Sequence, residues 1–356
     1  MRVALVGAGN IAGRYAEDVV AAPQLDLAGA TDVLPGRAAE LVARHGGTAY
    51  GSLAELLADD RVDIVVNLTA PTSHAAVTAA ALEAGKHVHT EKPVALRHAE
   101  ARELAALADR RGVRLSCAPA TLLGEAQQTA WKLVRDGALG EVRVCYAEAN
   151  WGRIESWHPS PETLYEAGPV VDVGIYPLTI LTGMFGPVRT VRAYGATIQP
   201  ERVRRDGGVF RLSTPDFTVA ALELESGVVV RLTATFWVGP GKQRGIEFHG
   251  HESSLYLASW AEFDSRLEHS IDGESYTAVP LVREPYRGID WSRALVELVD
   301  AVARGRPHRA GAEHAAHVVE VLEAIAAAAA SGGAVAVASS FPPPQPLEWA
   351  AAAGRQ

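Results

Sequence analysis

The sequence predicts a two-domain α/β protein, in which a doubly wound parallel sheet is followed by an α/β domain with a large, mostly antiparallel open sheet. Over the first 117 residues, short apolar runs alternate with helical stretches, and repeated βα units imply a parallel sheet wrapped by helices. From about residue 141, long β-branched runs follow one another without helices between them, as is typical of an antiparallel sheet with one open face. The length of 356 residues also suits two domains.

The first domain is expected over residues 1–118. Its strands are predicted at 3–6, 25–31, 62–68, 87–90 and 113–117. Its helices are predicted near 11–22, 35–45, 52–58, 73–84 and 99–110. The first of these strands is apolar at every position, which indicates burial on both faces.

The second domain is expected over residues 119–335. Its strands are predicted at 141–149, 188–194, 217–224, 228–236 and 244–248, and its helices at 126–136, 291–304 and 312–330. Residues 336–356 form a Pro- and Ala-rich tail. Its prolines exclude a helix around 342–346, so we expect the tail to lie extended over a surface or to be mobile.

Composition excludes several classes of protein. With 33 Lys and Arg against 42 Asp and Glu, the net charge is −9, which argues against a nucleic-acid partner. No apolar run reaches the length of about 18 residues that a membrane span needs. Gly7 and Gly9 interrupt the first apolar stretch, so it indicates a strand and not a signal peptide. Two cysteines, Cys117 and Cys145, are too few for a disulfide framework and favour a cytoplasmic protein.

A glycine-rich turn follows the first strand and opens the first helix. Its candidate cofactor-binding residues are Gly7, Gly9, Asn10 and Ile11, because glycines let a pyrophosphate approach the N–H groups of a helix start. Asp32 ends the second strand at roughly the spacing where an acid meets the adenosine ribose. A carboxylate there accepts hydrogen bonds from a 2′-hydroxyl and repels a 2′-phosphate. The pattern therefore favours NAD, with NADP possible.

Arg37 lies five residues after Asp32 and is a further cofactor candidate. Its guanidinium has the shape to stack on adenine or to reach a phosphate. Two structural alternatives stay open. Asp32 is also a common turn residue, and Arg37 also suits a solvated helix face.

Two later segments follow strands of the same predicted sheet. Open α/β sheets bind ligands at the carboxyl ends of their strands. The candidates there are Leu68, Thr69, Ala70, Pro71 and His74 after one strand, and Glu91 and Lys92 after the next. Lys92 is one of four lysines in a chain that otherwise uses Arg, and a lysine can exchange its proton whereas an arginine cannot.

Asp172 and Tyr176 form a second constellation, in the run 168–177. Because they are four residues apart, a helix would place them on one side. Burying an acid and a phenol together without partners is costly, which favours a functional pair. The alternative is an Asp at a helix start, stabilised by the helix dipole, with a Tyr in the core.

Together these motifs resemble the Gfo/Idh/MocA family, which includes glucose–fructose oxidoreductase and inositol dehydrogenase. The resemblance rests on shared motifs: the glycine turn, Asp32, the run 85–88, the triplet Glu91–Lys92–Pro93, and the pair Asp172 and Tyr176. It covers nearly the whole chain, including residues 136–141, where a helix leads into the second domain.

The resemblance implies a Rossmann domain and an α/β domain whose open sheet often forms the contact in dimers or tetramers. A homodimer or homotetramer is therefore expected. Lys92 matches the catalytic lysine of the family, and Asp172 matches its helix aspartate. Tyr176 stands where many members have a catalytic histidine, but it fits the branch that contains glucose–fructose oxidoreductase and dihydrodiol dehydrogenase. Within the resemblance, Thr121 is a further substrate candidate at the domain junction.

A loop after the first strand of the second domain carries Arg153, Trp157 and His158. Aromatic faces pack on sugar rings and polar groups bind hydroxyls, so these residues are substrate candidates, with loop anchoring as the alternative. Several histidine pairs occur, but none has a matching carboxylate or Cys cluster, so no metal site is predicted.

The sequence therefore predicts an NAD(P)-dependent dehydrogenase or reductase. It would move a hydride between a nicotinamide and a carbon bearing a secondary hydroxyl of a sugar, glycoside or cyclitol. Lys92 and Tyr176 are the predicted acid–base groups, and Asp172 would orient Lys92 and the substrate hydroxyl. Two alternatives stay open: a redox-neutral epimerase or glycosidase with tightly bound NAD, and a non-catalytic nucleotide-dependent sensor.

Overall fold

A computed structural model describes residues 1–158, 160–239, 241–271 and 273–351 of the chain. The chain forms two compact units. The first contains residues 1–120 and 290–319, and the second contains residues 121–289 and the C-terminal part from 320 onward. Within the described ranges, no helix is both long and apolar enough to cross a bilayer.

The first unit contains a sheet of six parallel strands, which confirms the predicted parallel sheet. Its elements are β1 (Arg2–Val6), α1 (Ala12–Ala21), β2 (Asp26–Thr31), α2 (Pro35–His45), β3 (Thr48–Ala49), α3 (Leu53–Ala58), β4 (Ile64–Asn67), α4 (His74–Glu83), β5 (His87–Thr90), α5 (His98–Arg111) and β6 (Leu115–Cys117). The strand order is β3-β2-β1-β4-β5-β6. All strand pairs in it are parallel.

Each face of this sheet carries its own apolar core, because alternate residues of a strand point to opposite faces. On β1, Val3 and Leu5 belong to one core, with residues of α1 and α2. Ala4 and Val6 belong to the other, with residues of α3, α4 and α5. The continuous apolar run that the sequence shows is thus explained by burial on both sides.

The second unit is built on a nine-stranded sheet. Its elements up to residue 278 are α6 (Glu125–Arg135), β7 (Val142–Asn150), α7 (Glu162–Ala167), α8 (Ile175–Phe185), β8 (Val188–Ala196), β9 (Glu201–Val203), β10 (Val209–Arg211), β11 (Phe217–Leu224), β12 (Val229–Thr235), β13 (Gly245–Gly250), β14 (Ser253–Leu257), β15 (Leu267–Ile271) and β16 (Thr277–Ala278). The strands β9 and β10 form a separate hairpin.

Two helices near the C-terminus complete the first unit. Helix α9 (Arg293–Ala303) buries Leu295 and Leu298 in the core shared with α1 and α2. Helix α10 (Ala312–Ser331) begins on the other face, where Ala316 and Val319 are buried. The sequence expectation placed residues 290–319 in the second domain. The difference has a physical cause, because burying each leucine stabilises the first unit by about 1.5–3 kcal/mol.

The last elements are β17 (Val335–Ala336) and α11 (Glu348–Ala351). The large sheet then has the order β16-β15-β14-β13-β7-β12-β11-β8-β17. Neighbouring strands are antiparallel except for β7 and β12, which are parallel. This confirms the prediction of a large, mostly antiparallel sheet.

The tail is attached to the second unit by several contacts. The backbone N–H groups of Ala338 and Ser339 donate to Glu320. Farther on, the guanidinium of Arg283 lies 4.2 Å from the ring centre of Trp349. Residues 342–346 have no regular secondary structure, as their prolines predict. Residues 352–356 of the predicted tail lie outside the described residues.

Candidate functional site

The glycine turn lies between β1 and α1, as the sequence predicts. Gly7 has a φ of +98°, a conformation that glycine adopts without steric cost. A Cβ on Gly7 would lie 2.7 Å from the carbonyl oxygen of Leu68, whereas a Cβ on Gly9 would meet no atom of the described residues within 4 Å. Ile11 is the N-cap of α1 and provides no side-chain cap. The glycine turn therefore packs tightly against the backbone of Leu68 at Gly7 and has free space beside it at Gly9.

Asp32 has the turn role that the sequence analysis left open, and it also contacts the glycine turn. One carboxylate oxygen accepts a hydrogen bond from the backbone N–H of Ala8 at 2.7 Å, and the other accepts one from Leu34 at 2.8 Å. Asp32 thus braces the glycine turn from the end of β2. A carboxylate oxygen has a second lone pair, so both oxygens retain the capacity to accept a hydroxyl. Arg37 lies on α2 with an exposed side chain.

The loop after β4 contains the next group of predicted residues. Leu68 is buried beside Gly7, and the hydroxyl of Thr69 donates to Asn67 at 2.7 Å. Ala70 precedes a short 3₁₀ turn that starts at Pro71. Because Leu68 and Gly7 follow the neighbouring parallel strands β4 and β1, both belong to the carboxyl edge of the sheet.

His74 connects this loop with the segment after β5. Its side chain is buried. One ring nitrogen lies 2.7 Å from the carbonyl oxygen of Pro93, and the other lies 3.0 Å from that of Thr69. The imidazole therefore holds together the two chain segments that follow β4 and β5.

Glu91 and Lys92 follow β5 directly. The hydroxyl of Tyr15, on α1, donates to one carboxylate oxygen of Glu91 at 2.8 Å, and the backbone N–H of Lys92 donates to the other at 3.0 Å. Glu91 also donates its own backbone N–H to Asn67 at 2.9 Å. These contacts fix the backbone of Lys92 relative to the helix that follows the glycine turn.

Asp172 and Tyr176 lie on the helical segment that crosses the second unit. A π-helical turn spans Val170–Gly174 and continues into α8. The sequence analysis considered Asp172 and Tyr176 on a regular helix, and π-helical turns are not visible in side-chain periodicity because they are short and rare. Both side chains are half-buried.

Trp260 is a contact of Tyr176 that the sequence analysis missed. The two ring centres are 4.9 Å apart, and Trp260 also lies 5.8 Å from the ring of Trp151. The indole N–H of Trp260 donates to the carbonyl oxygen of Glu148 at 3.2 Å. Trp260 follows β14 and belongs to no recognisable motif. Nothing in the sequence therefore indicated its contact with Tyr176.

Thr121 lies in a 3₁₀ turn, Thr121–Leu123, that packs against α8. Its side-chain oxygen is buried and has no hydrogen-bond partner within the described part of the chain. An unpaired buried hydroxyl is costly.

The loop with Arg153, Trp157 and His158 follows β7. Arg153 and Trp157 are exposed, and the rings of Trp157 and His158 meet edge to face at 5.4 Å. Their neighbour Glu155 is buried and pairs with Arg202 of β9 at 3.1 Å. The loop thus exposes aromatic side chains, and the ion pair of Glu155 with Arg202 anchors it.

Several histidines of the first unit are buried. Burial lowers the pKa of His89 to about 3, with a smaller contribution from the charge of His308. Burial, with a smaller contribution from His317, does the same to the pKa of His314. Both are therefore neutral core residues near neutral pH. Throughout the described segments, no three side chains of His, Cys, Asp or Glu are grouped as metal ligands.

The strand order, the glycine turn after β1 and the acid after β2 define a dinucleotide-binding protein of the Rossmann class. Residues 1–118 match the family described as "Oxidoreductase family, NAD-binding Rossmann fold". Residues 127–256 match the "GFO/IDH/MocA C-terminal domain". The chain belongs to the Gfo/Idh/MocA family of oxidoreductases, which confirms the family, the enzyme class and the nicotinamide cofactor that the sequence predicted.

Individual relatives agree with this assignment. The chain is 31% identical over 229 residues to trans-1,2-dihydrobenzene-1,2-diol dehydrogenase of Oryctolagus cuniculus, covering 63% of this chain and 66% of that protein. It is 30% identical to dTDP-3,4-didehydro-2,6-dideoxy-alpha-D-glucose 3-reductase of Streptomyces antibioticus, covering 68% and 75%. An NAD binding oxidoreductase from Klebsiella pneumoniae has the same fold, with a TM-score of 0.83, 22% identity and coverage of 95% and 99%.

Proposed function

We propose that the protein oxidises a secondary hydroxyl, or reduces the corresponding ketone, of a sugar, glycoside or cyclitol with NAD(P). The observation that carries the proposal is the arrangement at the carboxyl edge of the first sheet. Gly7, Leu68 and Lys92 follow β1, β4 and β5, which are adjacent parallel strands. Ligands of open α/β sheets bind at this edge, so a cofactor held by the glycine turn would lie beside Lys92.

The residues around the turn suit a dinucleotide. Helix α1 begins without a side-chain cap, so N–H groups at its start are available to a pyrophosphate. The open space at Gly9 admits a phosphate close to the backbone. Asp32 would accept a ribose hydroxyl, which favours NAD over NADP. A bound nicotinamide supplies the hydride acceptor for oxidation or the hydride donor for reduction.

Side chains of this protein would accept or donate the hydroxyl proton of the substrate. Loss of a hydride from a carbinol carbon requires loss of the hydroxyl proton, and a lysine amine or a phenol within hydrogen-bond reach can accept it. We assign this role to Lys92 and Tyr176 acting on one hydroxyl, with Asp172 orienting Lys92 and that hydroxyl. The ring of Trp260, 4.9 Å from that of Tyr176, would restrict the phenol to one orientation. Thr121 would bind a second hydroxyl of the substrate.

Replacement of the two acid–base groups tests the proposal. Lys92→Met is expected to abolish turnover and leave NAD affinity largely unchanged, while Tyr176→Phe should lower the rate by about 10²-fold or more. Groups that act on one proton transfer have non-additive effects, so the double variant should be no slower than Lys92→Met. The exposed Lys242 provides the control Lys242→Met. Full turnover in Lys92→Met would refute the role of this lysine.

A panel of hydroxyl compounds identifies the substrate class. It contains D-glucose, D-xylose, myo-inositol, methyl α-D-glucoside and trans-1,2-dihydrobenzene-1,2-diol, each with NAD and with NADP, and absorbance reports the reduced cofactor. We expect turnover with at least one sugar or cyclitol and a preference for NAD. Turnover with the aromatic diol alone would contradict the proposed substrate class.

We also propose that the open face of the nine-stranded sheet joins two copies of the chain. On β11 and β12, outward residues such as Ala221 and Val229 are exposed and alternate with buried ones. Clefts of about 650 Å³ and 240 Å³, both lined by Glu247 and Tyr256, open nearby. An accessible, partly apolar sheet face supports an interface between copies.

A cytoplasmic location also belongs to the proposal. Cys117 and Cys145 are free and buried. Burial raises the pKa of both thiols, so they stay protonated and unreactive. This use of cysteine as a small core residue supports a reducing compartment.

A further inference from the structure

The hairpin of β9 and β10 carries a completely buried guanidinium. The side chain of Arg202 is 0% exposed, and so is that of its partner Asp216. A second nitrogen of Arg202 donates to Glu155 at 3.1 Å. The guanidinium lies 5.2 and 5.1 Å from the ring centres of Tyr165 and Trp237. We call Arg202, Asp216, Glu155 and Tyr165 the buried ion cluster.

Additional donors compensate the two carboxylates of this cluster. The hydroxyl of Tyr165 donates to Glu155, and the backbone N–H of Ile198 donates to Asp216 at 2.6 Å. Burial, together with the bond to Glu155, raises the pKa of Tyr165 above its ordinary value, so this phenol remains a donor. Apolar residues of similar volume often replace such a cluster without loss of stability. The presence of the buried ion cluster therefore indicates that it holds the chain in one conformation.

The cluster joins three segments that are distant in sequence. Arg202 lies on the hairpin, Asp216 directly precedes β11, and Glu155 lies in the loop after β7. Glu155 lies in the short turn Ile154–Ser156, directly before the predicted substrate residue Trp157. Near the end of the loop, Arg204 of the same hairpin pairs with Glu162 at the start of α7. The hairpin therefore holds the loop at two acidic residues.

Several hydrogen bonds inside segment 153–158 are local. The hydroxyl of Ser156 donates to the carbonyl oxygen of Arg153 at 2.6 Å, and the backbone N–H of His158 donates to that of Ile154 at 2.9 Å. Such bonds set the shape of the turn. The bond between Glu155 and Arg202 instead ties the segment to a distant part of the chain, next to the buried side chain of Ile154.

We propose that Arg202 is a positioning residue, which holds segment 153–158 and so determines how the substrate is recognised. The inference rests on the proposed function, in which Trp157 and His158 contact the substrate. It makes the hairpin β9–β10 a specificity element that touches no reacting atom. Loosening the tie should raise KM for the hydroxyl substrate by about 10- to 10²-fold, the change that corresponds to losing about 1.4–2.8 kcal/mol of substrate binding. KM for the cofactor should not change.

Two conservative variants test this inference without leaving both carboxylates unpaired. Arg202→Lys keeps the charge but loses the planar fork that bonds two carboxylates at once. Glu155→Gln keeps the shape and removes one charge of the pair. The control is Arg211→Lys, because Arg211 forms an exposed ion pair with Glu201 at 2.8 Å on the same hairpin. Each full-length variant is measured for hydrogen exchange of segment 153–158, melting temperature, and steady-state kinetics with the panel compound that gives the highest kcat/KM.

In the two cluster variants we expect faster exchange in segment 153–158 and a higher KM for that compound, with the cofactor KM unchanged. Arg211→Lys should resemble the parent protein in all three measurements. A lower melting temperature with unchanged exchange in segment 153–158 would overturn the inference and leave the cluster a purely stabilising role. Faster exchange with unchanged KM would overturn the recognition role of the loop. The acid–base proposal fails separately, through turnover of Lys92→Met.

Discussion

The glycine turn allows stability and cofactor binding to be separated by two matched substitutions. Gly7→Ala introduces a Cβ at a φ of +98°, 2.7 Å from the carbonyl oxygen of Leu68. The left-handed backbone costs an L-residue about 1–2 kcal/mol, and overpacking against backbone costs about 1–3 kcal/mol. We therefore expect the free energy of unfolding to fall by about 2–5 kcal/mol, and NAD affinity to fall with it because the turn is displaced.

Gly9→Ala is the matched control for stability. A Cβ at Gly9 meets no atom within 4 Å, and no positive φ opposes the substitution. The free energy of unfolding should therefore stay within about 0.5 kcal/mol of the parent value. The added methyl group lies where a phosphate would approach the backbone, so NAD affinity should fall while stability is retained.

Thermal unfolding and calorimetric titration with NAD distinguish the two effects. At about 2–4 °C per kcal/mol for a domain of this size, Gly7→Ala should lower the melting temperature by roughly 4–20 °C. Gly9→Ala should leave it nearly unchanged. An unchanged melting temperature in Gly7→Ala would refute the steric argument. Unchanged NAD affinity in Gly9→Ala would refute the assignment of the turn as the pyrophosphate site.

Three further predictions concern other parts of the molecule. Asp32→Asn removes a charge whose repulsion of a 2′-phosphate is worth about 1–3 kcal/mol. The ratio of kcat/KM for NADP to that for NAD should therefore rise about 10- to 10²-fold. An unchanged ratio would contradict the cofactor assignment. His89 and His314 have folded-state pKa values of about 3, below the ordinary 6.5. Since the folded state favours their neutral form, their stabilisation is fully present above pH 6.5 and is lost as the pH falls towards 3. Urea titrations at pH 7 and pH 5 should show a loss of about 2 kcal/mol per histidine, and equal values would argue against neutral burial. Ala221→Glu should dissociate the proposed oligomer in sedimentation experiments and leave the melting temperature of the chain nearly unaltered; an intact oligomer would place the contact elsewhere.

The strands and helices of the first unit were predictable because each has a distinct local pattern. The continuous apolar run of β1 and the residues that end β2 and β5 lie where the alternation of strands and helices predicts them. Helix α9 was predicted as a helix but was assigned to the second domain, whereas it packs in the first unit. Its periodicity shows an apolar face, and periodicity contains no information about which surface covers that face.

The parts that sequence reasoning missed depend on contacts between distant residues. The hairpin of β9 and β10 has strands of three residues, too short for an alternating pattern to stand out. Arg202 looks like any surface arginine until Glu155 and Asp216, 47 and 14 residues away, are brought to it. Asp32 was recognised as a candidate ribose ligand, but its bonds to Ala8 and Leu34 appear only in three dimensions.

The carboxylate of Glu91 has a consequence for how inactive variants are interpreted. It accepts one hydrogen bond from the hydroxyl of Tyr15 and another from the backbone N–H of Lys92, so a substitution at position 15 is only two hydrogen bonds away from the lysine. Loss of turnover in Tyr15→Phe would therefore mimic an active-site defect, because the phenol acts on the lysine through Glu91. Across related chains, positions 15 and 91 should change together or not at all.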